Sequence, residues 1–232
     1  MMERFRAFLE SEVHGLRPNS ELVGASRALD RLLQVAEGFP PVLALLIEPW
    51  LDRLDKDPGL LQDVEDGIRV HLYARILDDA MDEGLPAQKA MLLAAQRLLW
   101  KAVAGITLRH PGLQEKTLDL VRITLESVQR EDLTGEVRYW ALKNHHLLLI
   151  PMLCTDDGPG YRACEEGFSS LLAMLQAVEE RAQGRFSDPR TTLDFYQSYA
   201  SHLDPARLET LAAHGWRGAA DRIVREARAA LP

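Results

Sequence analysis

DVEDGIRVHLYARILDDAMDEG, residues Asp63–Gly84, is the stretch on which the reading of this chain turns. It reads as one helix with Asp78, Asp79 and Asp82 at its end and Arg75 one turn earlier. In a helix Asp78 and Asp82 are i and i+4 and share a face. Three carboxylates this close repel one another unless a cation sits between them or water screens them. Their position at a helix C-terminus also opposes the negative end of the helix dipole. A local cost without a local gain is what a functional site looks like. The plain alternative is an ordinary solvated acidic helix end.

Outward from this stretch, the chain is helix after helix. Residues 2–14 suit an amphipathic helix with Phe5, Phe8, Leu9 and Val13 on one side. Ser20 caps a second helix running to about Glu37, Gly38–Pro41 is a break, and Val42–Leu54 resumes the helical pattern. Asp57-Pro58-Gly59 turns into the long helix, which Gly84-Leu85-Pro86 ends. Further helices are expected over residues 87–109, 113–130, 133–150 and 161–183, and at about 190–202, 204–214 and 216–230. His110-Pro111-Gly112 is a turn, and Thr155–Gly160 is the clearest loop. β-Branched alternation is nearly absent. The expected fold is all-α, a single domain over 1–232 built from roughly ten helices.

The composition bounds the function. The 232 residues are 47% hydrophobic and 27% charged, with a formal net charge of −8. No Lys/Arg cluster forms a basic stripe, which argues against nucleic acid as a partner. An anionic small substrate would need metal ions to bridge it to so acidic a protein. Cys154 and Cys164 are the only cysteines, which fits a reduced, cytoplasmic setting better than a disulfide scaffold. The N-terminal MMERFRAFLESEVHG mixes charges through its apolar positions and is not expected to act as a signal peptide. The most apolar run, Leu147–Cys154, is far shorter than the roughly 20 residues that span a bilayer. Gln96, Arg97 and Lys101 interrupt the apolar helix at 87–109, so no transmembrane segment is expected.

A second group of oxygen-bearing side chains lies about a hundred residues on, in LLAMLQAVEERAQGRFSDP, Leu171–Pro189. Gln176 and Glu180 are i and i+4, Glu179 lies beside them, and Arg181 and Arg185 follow. Glu179–Arg181 alone would be a charged helix surface. Paired with the first group, it suggests two helix ends facing each other across a cavity and holding hard cations such as Mg2+.

These residues carry a family resemblance. Tyr73–Glu83, YARILDDAMDE, resembles the first aspartate-rich motif of the class I isoprenoid (terpenoid) synthase superfamily, with Arg75 three residues before the Asp-Asp pair as in its squalene/phytoene synthase branch. Gln176–Glu180 with Gly184, Arg185, Phe186 and Pro189 resembles the second motif of that branch. Arg138–Lys143, RYWALK, resembles the helix that carries a Tyr and a diphosphate-facing Lys. The resemblance implies a helical bundle around a central cavity and a Mg2+-dependent enzyme that ionises an allylic prenyl diphosphate for condensation or cyclisation in isoprenoid biosynthesis. It assigns Asp78, Asp79, Asp82, Gln176, Glu179 and Glu180 to metal, and Arg75, Lys143, Arg185 and Tyr139 to the substrate. Leu72, Ile76, Met174, Tyr139 and Trp140 would wall the prenyl pocket, and a homodimer is compatible with it.

The chain departs from that family at Gln176, where the second motif normally has Asp, and at Glu180, where it ends on Asp. The basic signatures of chain-elongating prenyltransferases are missing, since Gly84–Lys89 reads GLPAQK and Gly38–Val42 reads GFPPV. A protein of the same descent that has lost catalysis and serves as a binding or regulatory partner is therefore the alternative. His71 lies two turns before Asp78 and is either pocket lining or a satisfied core histidine. His145-His146 diverge on a helix and read as packed or half-exposed side chains. Tyr196, Tyr199, His202 and Trp216 are weaker candidates for capping a cavity.

Overall fold

A computed structural model of the chain describes residues 2–16, 41–83, 86–134, 150–155, 159–182 and 205–230. Among these residues the structure is helical and contains no strand, as the apolar spacing predicts. In chain order the elements are α1 (Met2–His14), α2 (Pro41–Ile47), a 3-10 turn (Glu48–Trp50) and α3 (Leu51–Leu54). The two long helices α4 (Pro58–Glu83) and α5 (Pro86–Arg109) follow. Another 3-10 turn (Pro111–Leu113), α6 (Gln114–Thr134), a helical segment at 150–155 and α7 (Pro159–Ala182) come next. The described chain finishes with α8 (Pro205–Leu211) and α9 (Arg217–Ala230), joined by a wide turn over Ala212–Trp216.

Local chemistry sets several boundaries. The helix expected from Asp63 begins at Pro58, because Asp57 caps it: the Leu60 amide donates to Asp57 Oδ1 at 3.0 Å. Pro58 at the first helical position needs no amide partner. The single helix expected over Val42–Leu54 is instead interrupted at Glu48–Trp50, where Pro49 removes an amide donor. The helix expected to stop at Arg130 runs on to Thr134, so Leu133 and Thr134 belong to α6 rather than to the next element. At the expected Thr155–Gly160 loop, helix continues through Thr155 and resumes at Pro159. The helices expected at Ser20–Glu37 and 190–202 and most of 133–150 lie outside the described residues, as do His145, His146, Tyr196, Tyr199 and His202.

Helix α4 is the centre of the molecule. Every residue from Asp66 to Ala74 is buried, so the helix presents no water-facing side over this stretch. It lies antiparallel to α5: Tyr73 accepts a hydrogen bond from Gln96 Nε2 at 3.0 Å, and Arg109 reaches back to Asp63. Ala95, Leu98, Ala102 and Ile106 of α5 close the interface, while Leu93, Trp100 and Leu108 stay exposed on its outer side. Met91–Arg109 is long and apolar enough to cross a membrane by length and composition. A helix packed into a protein core passes the same test, and this one is tied to α1 and α4 by Lys101 and Arg109.

The second half of the core forms around Trp216. Its ring is fully buried, edge-on to Phe168 of α7 at 4.3 Å and to Trp50 at 6.3 Å, and its indole N–H donates to the Leu45 carbonyl at 2.8 Å. Trp216 is therefore a core residue and not a cap over a cavity. The turn that delivers it needs Gly215, whose φ is +95° with the Pro49 ring 3.0 Å from where a Cβ would sit. This one side chain ties α2, the Glu48–Trp50 turn, α7 and the α8–α9 turn together. Trp216→Phe is expected to lower unfolding free energy by about 1–3 kcal/mol, by stranding the buried Leu45 carbonyl. Trp216→Ala should cost about 3–5 kcal/mol. Equilibrium urea denaturation measures both.

Candidate functional site

The residues singled out by the sequence divide into two groups. Arg75, Asp78, Asp79 and Asp82 sit on the unbroken backbone of α4, so the i, i+4 spacing of Asp78 and Asp82 is a true helical register. Arg75 is exposed although Leu72, Tyr73, Ala74 and Ile76 around it are buried. Gln176, Glu179 and Glu180 lie on the last turns of the unbroken backbone of α7. The side chains of Asp78, Asp79, Asp82, Gln176, Glu179 and Glu180 lie outside the described residues, as do Tyr139, Trp140, Lys143 and Arg185 altogether. Leu72, Ile76 and Met174 belong to the continuous apolar core, and His71 is buried.

A polar centre that the sequence reading passed over lies in the other half of α4. Asp63, Asp66 and Arg69 are all buried, at 2%, 1% and 9% exposure. Arg109, at the end of α5, reaches both acids. Its Nε donates to Asp63 Oδ1 at 2.9 Å and its Nη2 lies 2.5 Å from Asp66 Oδ2. Arg69 Nη1 lies 2.5 Å from the other Asp66 oxygen, and its Nε donates to Glu12 Oε1 of α1 at 2.9 Å. Lys101 of α5 reaches the same Glu12 oxygen at 2.9 Å, and the Arg69 guanidinium sits 4.8 Å from the Phe8 ring centre. Three carboxylates thus alternate with three cations across α1, α4 and α5. Buried charge is tolerated only with such pairing, because each lost hydration shell must be replaced.

Gly105 makes room for this arrangement. A Cβ there would fall 2.5 Å from Asp66 Oδ2 and 3.1 Å from Arg109 Nη1. A glycine in a helix interior costs about 1 kcal/mol relative to alanine. Here it lets the α5 backbone approach a short carboxylate held from both sides.

Burial and charge pull the acids in opposite directions. Burial works to raise the Glu12 carboxyl, but Lys101 and Arg69 together outweigh it and hold it below the usual glutamate range. At Asp66 burial is the larger influence, and its carboxyl lies above the usual range despite hydrogen bonds from Arg109 and Arg69. Arg109 loses hydration, yet its bonds to Asp66 and Asp63 hold its pKa above that of a free guanidinium.

Two more side chains complete the centre. His110 Nε2 lies 2.9 Å from Asp63 Oδ2, and Cys154 Sγ, His110 nitrogen and Asp63 oxygen all lie within 4.8 Å of one another. Burial, followed by the Asp63 charge, pushes the Cys154 thiol far above its ordinary value. Asp63 stands between the histidine and the cysteine, whereas nucleophilic activation requires the imidazole to stand between thiol and carboxylate. The trio is therefore not an activated thiol nucleophile.

The available signal was charge inside an apolar helix. Asp63, Asp66 and Arg69 recur at i, i+3 and i+6 among Leu60, Leu61, Val64, Ile68 and Val70; the polar stripe they share with Gln62 and Glu65 is exposed only at Gln62 and fully enclosed from Asp66 onward. Their partners come from residues 12, 101, 109 and 154, and no local spacing announces those. Comparisons of the chain with family models, with curated proteins and with solved structures give no match.

Arg109→Leu leaves Asp63 and Asp66 without their shared cation and is expected to cost about 3–5 kcal/mol, read by urea denaturation. Gly105→Ala, although it improves helix propensity, should lower the midpoint. A rise would show that Asp66 and Arg109 can yield. The depressed Glu12 carboxyl stabilises the fold at pH above its unfolded value of 4.5, and that contribution is lost as pH falls through its lower folded value. The Tm difference between wild type and Glu12→Gln should be full well above pH 4.5 and shrink below it. Thermal unfolding across that range measures it.

Proposed function

We propose that the chain is a Mg2+-dependent enzyme of isoprenoid biosynthesis, of the class I isoprenoid synthase kind, acting in the cytoplasm on an allylic prenyl diphosphate. The observation that carries this reading is the Asp78-Asp79-x-x-Asp82-Glu83 run at the end of an unbroken helix whose preceding turns are apolar and buried, with exposed Arg75 one turn before the acids. The all-helical architecture supports it, and the finer expectation is a ten-helix bundle around a central cavity. The donor set suits Mg2+: carboxylates and one carboxamide are hard oxygen ligands, and the helical register puts Asp78 and Asp82 one turn apart.

When bound, Mg2+ supplies charge neutralisation for a departing pyrophosphate. Asp78, Asp79 and Asp82 would hold metal on α4, and Gln176, Glu179 and Glu180 on α7. Arg75, Lys143 and Arg185 would hold diphosphate oxygens as charge-assisted donors. The Tyr139 ring would stabilise the allylic cation, and apolar side chains such as Leu72, Ile76 and Met174 would exclude water from it. A second reading rests on Gln176: an amide there removes one charge from the second metal group. That favours a binding or regulatory protein that holds the diphosphate without ionising it. In either case a homodimer is the proposed assembly.

Binding of a non-ionisable farnesyl or geranylgeranyl diphosphate analogue is expected to require Mg2+ and to be lost in Asp78→Asn/Asp82→Asn. Calorimetric titration with and without Mg2+ tests this, and absence of Mg2+-dependent binding would overturn it. Pyrophosphate release from the true substrates would establish the enzyme, and binding without release would establish the second reading.

A further inference from the structure

The geometry points to a second metal site, separate from the acidic helix ends, in which Asp63 Oδ2, His110 Nε2 and Cys154 Sγ bind a borderline-soft divalent cation of the Zn2+ class. The three donors come from α4, from the residue after α5 and from the helical segment at 150–155. Their ligand atoms nevertheless lie within 4.8 Å of one another. A tetrahedral Zn2+ with bonds of about 2.0–2.3 Å needs ligand atoms about 3.3–3.8 Å apart. The His110–Asp63 pair, at 2.9 Å, has only to open slightly, and no edge of the triangle, at 4.8 Å or less, has to close by more than about 1.5 Å.

The surroundings are those of a supported ligand set. Arg109 holds the other Asp63 oxygen, at 2.9 Å from Nε and 2.7 Å from Nη2, which leaves Oδ2 turned toward the imidazole as a single-oxygen ligand. Asp66 fixes Arg109 in turn, so the carboxylate is oriented through two shells. The His110 backbone is anchored on both sides: its amide donates to the Ile106 carbonyl at 2.8 Å and its carbonyl accepts from the Leu113 amide at 2.9 Å. Pro111 then restricts it further. His110 is 26% exposed and Cys154 only partly buried, which gives a cation a way in and a fourth position for water.

The donor chemistry selects the metal. A thiolate and an imidazole beside one carboxylate suit Zn2+ or Co2+ and are poor ligands for Mg2+ or Ca2+. This site therefore does not compete for the cation of the proposed diphosphate clamp. It lies about 22 Å along α4 from Asp78. On binding, the Sγ–H bond of Cys154 breaks, its proton leaves to solvent and the sulfur's electron pair goes to the metal. The imidazole stays neutral by carrying its proton on Nδ1 while Nε2 coordinates. Nothing is oxidised or reduced.

Co2+ is the probe, added to the reduced protein. The expected result is one equivalent bound, with a thiolate-to-cobalt charge-transfer band and the intense visible bands of four-coordinate cobalt. Zn2+ should bleach both, while an excess of Mg2+ leaves them unchanged. Cys154→Ser should abolish the charge-transfer band, Cys164→Ser should keep it, and His110→Gln should weaken binding at least about tenfold. X-ray absorption on the zinc-loaded wild type, which needs no variant to fold, should show one sulfur with nitrogen and oxygen neighbours. A wild-type protein that binds no stoichiometric cobalt, a band surviving Cys154→Ser, or a metal shell without sulfur would overturn the assignment.

Discussion

Asp66 is the most buried charge described in this protein, and it is held between two guanidinium groups, each 2.5 Å from one of its oxygens. Much of the arrangement around it follows from that requirement. A carboxylate taken out of water carries a desolvation penalty of several kcal/mol unless fixed donors replace the lost hydration. Arg69 supplies one donor from the next turn of the same helix. The other comes from Arg109 of α5, and it favours a glycine at position 105, where a Cβ would fall 2.5 Å from Asp66 Oδ2. Arg69 needs a counter-charge of its own, and Glu12 provides it, drawing α1 and Lys101 into the same network. The charge pairs thus fix the relative register of three helices whose apolar contacts alone would tolerate sliding.

Helix α4 accordingly carries charge in two different ways. In its first half, acids and bases are enclosed and neutralise one another, and the result is a rigid anchor. At its far end, Asp78, Asp79 and Asp82 follow one another on the same unbroken backbone, with the helix dipole against them. The enclosed ion pairs hold the first half of α4 against α1 and α5.

Helix positions were largely legible in the chain because they depend on neighbours within a few residues. Met2–His14 and the apolar course of α5 follow from spacing, and Pro111 and Gly112 mark the turn between α5 and α6. Where expectation and structure part, the cause is still local. Pro49 interrupts a helix that the apolar pattern carries straight through, and Asp57 with Pro58 starts α4 earlier than the charged pattern suggests. Trp216 is instructive in the other direction. Read from the chain, Trp216 is only a weak candidate for capping a cavity, yet it fills the core, because Gly215 adopts a positive φ in the turn that delivers the ring inward.

By itself the sequence determined an all-helical chain and the register of the acidic residues on α4 and α7, since helical periodicity is a property of adjacent turns. It also carried the resemblance that motivates a diphosphate-binding function. The tertiary structure alone decided that Asp63, Asp66 and Arg69 are buried partners of Glu12 and Arg109, and that His110 and Cys154 meet at Asp63. Those contacts join positions as far apart as 12 and 69, or 63 and 154. The side chains that neutralise a buried charge are chosen by the packing of helices, and packing leaves no period in the chain to read.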